Sequence, residues 1–328
     1  MKKILITGDS GFIGSHLTRH FVTTHSNYMI HGLDSLTYAA NRSYVQELES
    51  YSNYLFHKLD IRNRDSVMRL FKEHRFTDVI HLAAESHVDN SISNPLLFAE
   101  TNILGTLNLL DAFKLYSNGR FQHVSTDEVY GDLTIDEPRF QETTSYQPSS
   151  PYSASKASSD HFVRAYYRTF GLNIAITNCS NNYGPHQHIE KFIPTVILSI
   201  LNNKKIPIYG DGQNIRDWLY VLDHVDAIDS VFHKGASGQT YNIGADNELS
   251  NINLVEHICD LCCKKDLHHN PRALISFVED RLGHDTRYAI NSNKIKNELN
   301  WSPRFNFIEA LSSTIGWYVE NIHSEPLK

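Results

Sequence analysis

A short apolar run, Lys3-Ile-Leu-Ile-Thr7, meets three evenly spaced glycines, Gly8-x-x-Gly11-x-x-Gly14, and an amphipathic stretch follows at once. Strand, tight turn and helix in that order leave few folds open, because the next strand must then lie parallel to the first. The pattern repeats. Met29–Leu33, Tyr54–Leu59, Asp78–Leu82, Phe121–Ser125 and Asn173–Thr177 read as strands. Ser15–Thr24, Arg64–His74, Asn102–Tyr116 and Ser153–Phe170 carry helical periodicity. The expected fold is α/β, a doubly wound parallel sheet with helices on both faces.

After residue 182 the pattern loosens at Pro185, Pro194, Pro207, Gly210 and Gly212. A strand over Gln239–Ile243 and a late helix over Ile308–Ile322 remain visible. The expectation is a Rossmann-type sheet domain over 1–182 and mainly a smaller α/β lobe over 183–328. The chain is expected to return to the main sheet around 216–245. A net charge of −7 argues against bulk affinity for nucleic acid or an anionic membrane. No apolar run approaches the ~20 residues that span a bilayer, and the N-terminal run is too short for a signal peptide. A cytoplasmic location follows as the expectation. Cys259, Cys262 and Cys263 fall at helical spacing without a second ligand pair, so they read as buried thiols on one helix face, and with Cys179 suggest no metal. His186 and His188 lack a third ligand, and no metal is expected there either.

The glycine turn has the character of a pyrophosphate cradle at a helix N-terminus. Asp34 lies 20 residues beyond Gly14, at the end of the second strand, where a ribose 2′-hydroxyl would be bound. A carboxylate there repels a 2′-phosphate by ~4 kcal/mol at an effective dielectric near 20 and a separation of about 4 Å, which favours NAD over NADP. Asp60-Ile61 suits an adenine edge, and Leu82-Ala83-Ala84 offers small side chains against a cofactor.

The chemistry is concentrated in Ser125-Thr126-Asp127-Glu128-Val129-Tyr130-Gly131 and in Tyr152-Ser-Ala-Ser-Lys156. Tyr152 and Lys156 share a helix face. An ammonium one turn away, with a positive nicotinamide, is expected to lower a phenol pKa of about 10 by ~3 units. Alcohol oxidation needs only that pair. Two adjacent carboxylic acids exceed its needs, but removal of water from a sugar uses both, because like-charged neighbours push one toward its neutral form.

With these blocks the chain resembles the nucleotide-sugar 4,6-dehydratases of the extended short-chain dehydrogenase/reductase class. Further matching blocks are Leu36-Thr-Tyr-Ala39, Ala83-Ala-Glu-Ser-His-Val-Asp89, Cys179-Ser-Asn-Asn-Tyr-Gly-Pro185, Ile215-Arg-Asp-Trp-Leu-Tyr-Val221, Tyr241-Asn-Ile-Gly244 and Gly283-His-Asp-x-Arg-Tyr288. The resemblance implies that Tyr152, with Thr126, handles the C4 hydroxyl, that Glu128 removes the C5 proton and that Asp127 protonates the departing C6 hydroxyl. It adds Phe12, Ile13, Ser35, Leu36, Thr37, Ser86, Thr101, Ser125 and Asn182 to the cofactor contacts. Substrate contacts implied in the same way are Ser86, His87, Asn181, Lys191, Phe192, Pro207, Ile208, Tyr209, Arg216, Asn251, Arg281 and His284. The chain departs from the family pattern at His186-Gln-His-Ile-Glu-Lys191, at Arg281-Leu-Gly-His-Asp285 and at Ser35.

The implied substrate is a nucleoside-diphosphate glucose, with dTDP-glucose favoured and UDP-glucose the alternative. A UDP-sugar 4-epimerase or decarboxylase on the same fold has no use for the acid pair. A non-catalytic NAD-binding protein would not need the intact Tyr152–Lys156 pair. The family also implies a homodimer built on a four-helix bundle, with Asn102–Tyr116 and Ser153–Phe170 as the contributing helices.

Overall fold

The computed structural model describes residues 1–280 and 283–321. Strands β1 (Lys3–Thr7), β2 (Met29–Asp34), β3 (Tyr54–Lys58), β4 (Asp78–His81), β5 (Phe121–Thr126) and β6 (Ile174–Cys179) form a parallel sheet. With a seventh strand, β10 (Gln239–Ile243), the spatial order is β10-β6-β5-β4-β1-β2-β3. The order reverses between β1 and β4, so a crevice opens at the carboxyl ends of those strands.

Alternation along β1 explains the two layers. Leu5 packs into the core on one face of the sheet, while Ile4 and Ile6 pack into the core on the other. α1 (Phe12–Thr24) packs on the Ile4/Ile6 face, whereas α2 (Arg64–His74), α3 (Gly105–Tyr116) and α4 (Pro151–Phe170) cover the Leu5 face. Each fully buried Ile, Leu or Phe contributes roughly 1.5–3 kcal/mol. α4 starts where its sequence dictates, with Ser150 and Ser153 in a capping box and Pro151 in the first turn, and it stops at Gly171 with φ +68°.

Beyond β6 the chain forms β7 (Asn181–Tyr183), α5 (Phe192–Leu201), β8 (Ile206–Tyr209), β9 (Ile215–Tyr220), α6 (Val221–Lys234) and β10 (Gln239–Ile243). The remainder is β11 (Glu248–Ser250), α7 (Asn251–Lys264), β12 (Ile275–Val278), β13 (Arg287–Tyr288) and α8 (Phe307–Asn321), with a short helix over Asn293–Leu299. α6 and β10 return to the main sheet, β10 pairing with β6 and α6 packing beside α1, and the Asn293–Leu299 helix packs on the same edge through Ile295 and Leu299. β9, expected within that return, instead centres a second sheet with β7, β11 and β13. β8 pairs with β12. The expected end of the late helix at Ile322 lies outside the described residues.

Two local expectations are corrected. The helix expected from Asn102 starts as a π-turn over Ala99–Leu104, which brings the Asn102 side chain inward to bond both the N–H and the carbonyl of Glu85, at 2.8 and 3.0 Å. Cys259 and Cys262 are buried as expected, but Cys263, one residue on and about 100° further round α7, is exposed.

Candidate active site

The crevice holds a cleft of about 320 Å³ lined by the ends of β2, β5 and β6, the start of α1, residues of α4 and the loops after β1, β3 and β4. At one end, Gly8 takes φ +75° and a Cβ on Gly14 would lie 1.8 Å from the Gly8 carbonyl oxygen, so both glycines are required by the turn itself. Gly11 differs: its φ is −83°, and a Cβ there would meet only the Gly8 oxygen, at 3.3 Å. It caps α1 without a side chain, so the first-turn N–H groups of α1 face a space that suits a pyrophosphate.

Asp34 is held at the end of β2 by the backbone N–H groups of Ser10, at 3.2 Å, and Leu36, at 2.8 Å. Burial pushes its pKa up, and those two N–H donors restrain the rise. Leu36 does not line the cleft; its N–H serves Asp34 from a backbone with φ +59°. Phe12, Ile13, Ser35, Thr37, Asp60, Ile61, Leu82, Ala83, Ala84, Ser86, Thr101, Ser125 and Asn182 all line the cleft. Asp60 is engaged there by Arg62, whose guanidinium donates to it at 2.6 and 2.9 Å. A carboxylate acceptor, a bare helix N-terminus and a row of small residues fit a dinucleotide.

At the other end, β5 runs straight into a 3₁₀ turn over Asp127–Tyr130, capped by the Thr126 hydroxyl, which accepts from the Glu128 N–H at 3.3 Å. Gly131 closes the turn at φ +97°, where a Cβ would lie 2.4 Å from the Gln147 carbonyl oxygen. The turn sets Thr126, Asp127 and Glu128 on the same cleft as Tyr152 and Lys156. Asp127 is 1% exposed. Its Oδ1 accepts only a 3.4 Å contact from Thr126, and its Oδ2 meets no hydrogen-bond donor among the described residues. Burial, then Glu128 and Asp217, drive its pKa well above the usual carboxylate range. Each of these influences favours its protonated form.

Lys156 donates to the Val124 carbonyl at 2.8 Å. Burial lowers its pKa, and Asp160 is the chief influence working the other way. From the protein's own groups, burial first, then Glu128, holds the Tyr152 phenol well above its ordinary value, with the Thr126 hydroxyl pulling downward; the expected lowering counts the nicotinamide's charge as well. A desolvated phenol beside a carboxylate needs a further positive charge before it can act as a base.

Of the expected substrate contacts, Ser86, His87, Asn181 and Lys191 line the cleft, and Lys191 donates to the Ser86 carbonyl at 2.8 Å. The others belong to the lobe. Phe192 opens α5 and stacks near Trp218 at 6.4 Å. Pro207 and Tyr209 lie on the exposed side of β8, whereas Ile208 packs into the lobe core. Arg216 is buried, donates to the Asp285 carbonyl at 2.8 Å and lies 4.3 Å above the Tyr288 ring. Asn251 begins α7, and His284 pairs with Asp280 at 2.6 Å. Arg281 lies outside the described residues. His186 stacks between Tyr44, at 3.9 Å, and His16, at 4.5 Å, rather than lining the cleft.

Sequence reasoning missed a supporting layer under α4. Asp160 is fully buried, accepts from Tyr146 at 2.8 Å and meets His123 at 3.2 Å, and Arg164 donates to Tyr146 at 2.7 Å. The signal was present as a spacing of four: Tyr152, Lys156, Asp160 and Arg164 continue one helix face.

Comparison with known proteins agrees with this geometry. Residues 5–314 match the family described as GDP-mannose 4,6 dehydratase. A dTDP-glucose 4,6-dehydratase of Haemophilus influenzae is 47% identical over 99% of this chain and 100% of its own. The crystal structure of a dTDP-glucose 4,6-dehydratase from Streptomyces venezuelae, determined with NAD bound, superposes at a TM-score of 0.94 with 40% identity, covering 99% of this chain and 100% of that one. A UDP-glucose 4-epimerase from Thermotoga maritima shares the fold at TM-score 0.88, but with 27% identity over 98% of this chain and 99% of that one. From the glycine turn to the acid pair, the chain belongs to the nucleotide-sugar 4,6-dehydratase family.

Proposed function

We propose that this protein is an NAD-dependent dTDP-glucose 4,6-dehydratase, forming dTDP-4-keto-6-deoxyglucose and water. The observation that carries the reading is the buried Asp127, pushed toward its protonated form beside Glu128, on the same cleft as Tyr152 and Lys156. Bound NAD supplies a hydride acceptor for C4, a hydride donor for C6 and the positive charge that a Tyr152 phenolate needs. Thr126 and Tyr152 hold the C4 hydroxyl, and Tyr152 takes its proton. The resulting ketone acidifies the C5 hydrogen, which Glu128 removes. Asp127 gives its proton to the leaving C6 hydroxyl, that oxygen departs as water, and Glu128 returns its proton to C5 as C6 gains a hydride. An epimerase needs neither acid.

The sugar sits at the acid pair, and Asn181, Lys191 and the lobe residues Phe192, Pro207, Tyr209, Arg216, Asn251 and His284 take the nucleotide. Names of whole-length relatives favour dTDP over UDP. The protein acts as a homodimer in the cytoplasm. Exposed Leu104 and Leu115 near α3 and Phe162, Tyr167 and Phe170 on α4 supply apolar surface for a four-helix interface. Among the described residues no helix is long and apolar enough to cross a membrane, and all four cysteines are free.

The test is incubation with dTDP-glucose and, separately, UDP-glucose, followed by mass spectrometry. Loss of one water from dTDP-glucose is expected. Loss only from UDP-glucose would overturn the nucleotide, and an isomer of unchanged mass would overturn the reaction. Light scattering reading a monomer would sink the dimer.

A further inference from the structure

Away from the cleft, the C-terminal ends of α1 and α6 bring three histidines onto one carboxylate. His20 lies in the last turns of α1 and His25 caps it, while Asp229 and His233 are one turn apart on α6. The Nε2 of His20 is 2.7 Å from Asp229 Oδ2, the Nε2 of His25 is 3.2 Å from both carboxylate oxygens, and the Nδ1 of His233 is 2.6 Å from Oδ1. The geometry points to a divalent transition-metal site, best suited to zinc, formed by His20, His25 and Asp229, with a fourth position left open.

Three arguments carry it. The first is spacing: one ligand atom from each of His20, His25 and Asp229 lies within 4.8 Å of the other two, against about 3.3 Å between ligands at bonds of about 2.0–2.1 Å in a tetrahedron, so the site can close on an ion by small side-chain movements. The second is the donor set. Two imidazoles and one carboxylate leave a net charge of −1 to meet a divalent cation, and imidazole suits zinc. The third is support around the ligands. His233 holds the Asp229 carboxylate from outside, its Nδ1 2.6 Å from Oδ1 and 3.0 Å from the Asp229 backbone carbonyl, while its Nε2 lies 3.1 Å from the Tyr28 hydroxyl. His25 stacks on Tyr28 at 5.1 Å. The ligands are between 17% and 26% exposed, enough to leave an entry path.

A second histidine cluster sharpens the choice. His31, His57 and His74 also converge, but the carboxylate beside them, Glu73, reaches only His74, at 3.7 Å, and Lys3 donates to the His74 carbonyl at 3.1 Å, bringing a cation against the group. That cluster serves as the comparison. Zinc in the α1–α6 site ties together the helix that opens at the glycine turn and the helix that leads to β10.

The experiment is titration of the purified full-length protein, stripped with a chelator, with zinc chloride alone. Wild type is expected to take up one saturable equivalent and to show a raised melting temperature with zinc. His25→Gln and Asp229→Asn are expected to lose that equivalent and that shift, while His57→Ala keeps both. Cobalt in place of zinc is expected to give visible absorption of tetrahedral type in wild type only. Should Asp229→Asn fail to fold, the half-buried His25→Gln and His20→Gln carry the same comparison. No saturable uptake by wild type, or equal uptake by the His25 and His20 variants, would show that Asp229 is only a hydrogen-bond hub and overturn the site. Loss of the equivalent in His57→Ala alone would overturn it too.

Discussion

The two ends of the cleft use the same residue type to opposite effect. Asp34 and Asp127 both close a parallel strand, both are almost fully buried, at 7% and 1% exposure, and burial raises both. Asp34 receives two backbone N–H groups, which support a carboxylate that accepts hydrogen bonds. Asp127 has one weak hydroxyl contact and two neighbouring carboxylates, which keep its proton on. Burial alone therefore does not decide an acid's role. The donors and charges that strand ends and turns bring to it do.

The largest expected effect separates these roles. Asp127→Asn keeps shape and loses the proton, so dehydration is expected to fall by ~10²–10⁴ while C4 oxidation still shows as NADH absorbance on mixing with dTDP-glucose. The sign with pH follows. Because the Asp127 pKa is raised, its acid form persists to higher pH than a free carboxyl's, and the alkaline loss of activity it causes should disappear from whatever activity the variant keeps. Asp34→Asn is expected to lower NAD retention by roughly 10–100-fold, the worth of a charged hydrogen-bond acceptor, and to leave turnover at saturating NAD intact. Equal turnover losses in the two variants would erase the comparison.

Next in size is the layer beneath the chemical end. Burial works to raise the pKa of Asp160, but His123, Lys156 and Arg164 outweigh it and hold the carboxyl below its usual range. A depressed carboxyl contributes stability at neutral pH that is lost as pH falls through its folded value. Asp160→Asn strands the buried cations and is expected to cost about 3 kcal/mol, read as a lower melting temperature. Lys156 would also lose its chief upward influence, so its proton should leave at lower pH and the alkaline limb of activity should move toward acid. An unmoved limb would restrict Asp160 to a structural part.

What the sequence made legible follows physical range. Strands β1 to β6 and the helices between them are visible because burial on both faces writes itself into local runs, and the Thr126–Glu128 acid turn is visible because its residues are contiguous. The inward Asn102 is not, since a π-turn has no local composition and is held by Glu85, 17 residues away. Nor is the Asp229 hub, whose histidines at 20 and 25 come from a helix more than 200 residues earlier. The departure of β9 from the main sheet likewise depends on its pairing with β7 and β11, which is tertiary.

The smallest expected effect tests whether the cofactor end is shaped by the fold or by its ligand. Gly14→Ala would drive a Cβ to 1.8 Å from the Gly8 carbonyl oxygen, a backbone atom that cannot step aside, so a loss of ~1–3 kcal/mol is expected with NAD retention falling alongside. Gly11→Ala meets no such wall and has an ordinary φ of −83°, so its melting temperature without NAD should stay near wild type. Its methyl group would instead occupy the space above the α1 N-terminus, and NAD retention alone should fall. If Gly11→Ala retained NAD as well as wild type, the pyrophosphate would have to lie elsewhere along the turn. If it unfolded like Gly14→Ala, all three glycines would be there for the chain's own geometry, and the cofactor end would owe its form to the fold alone.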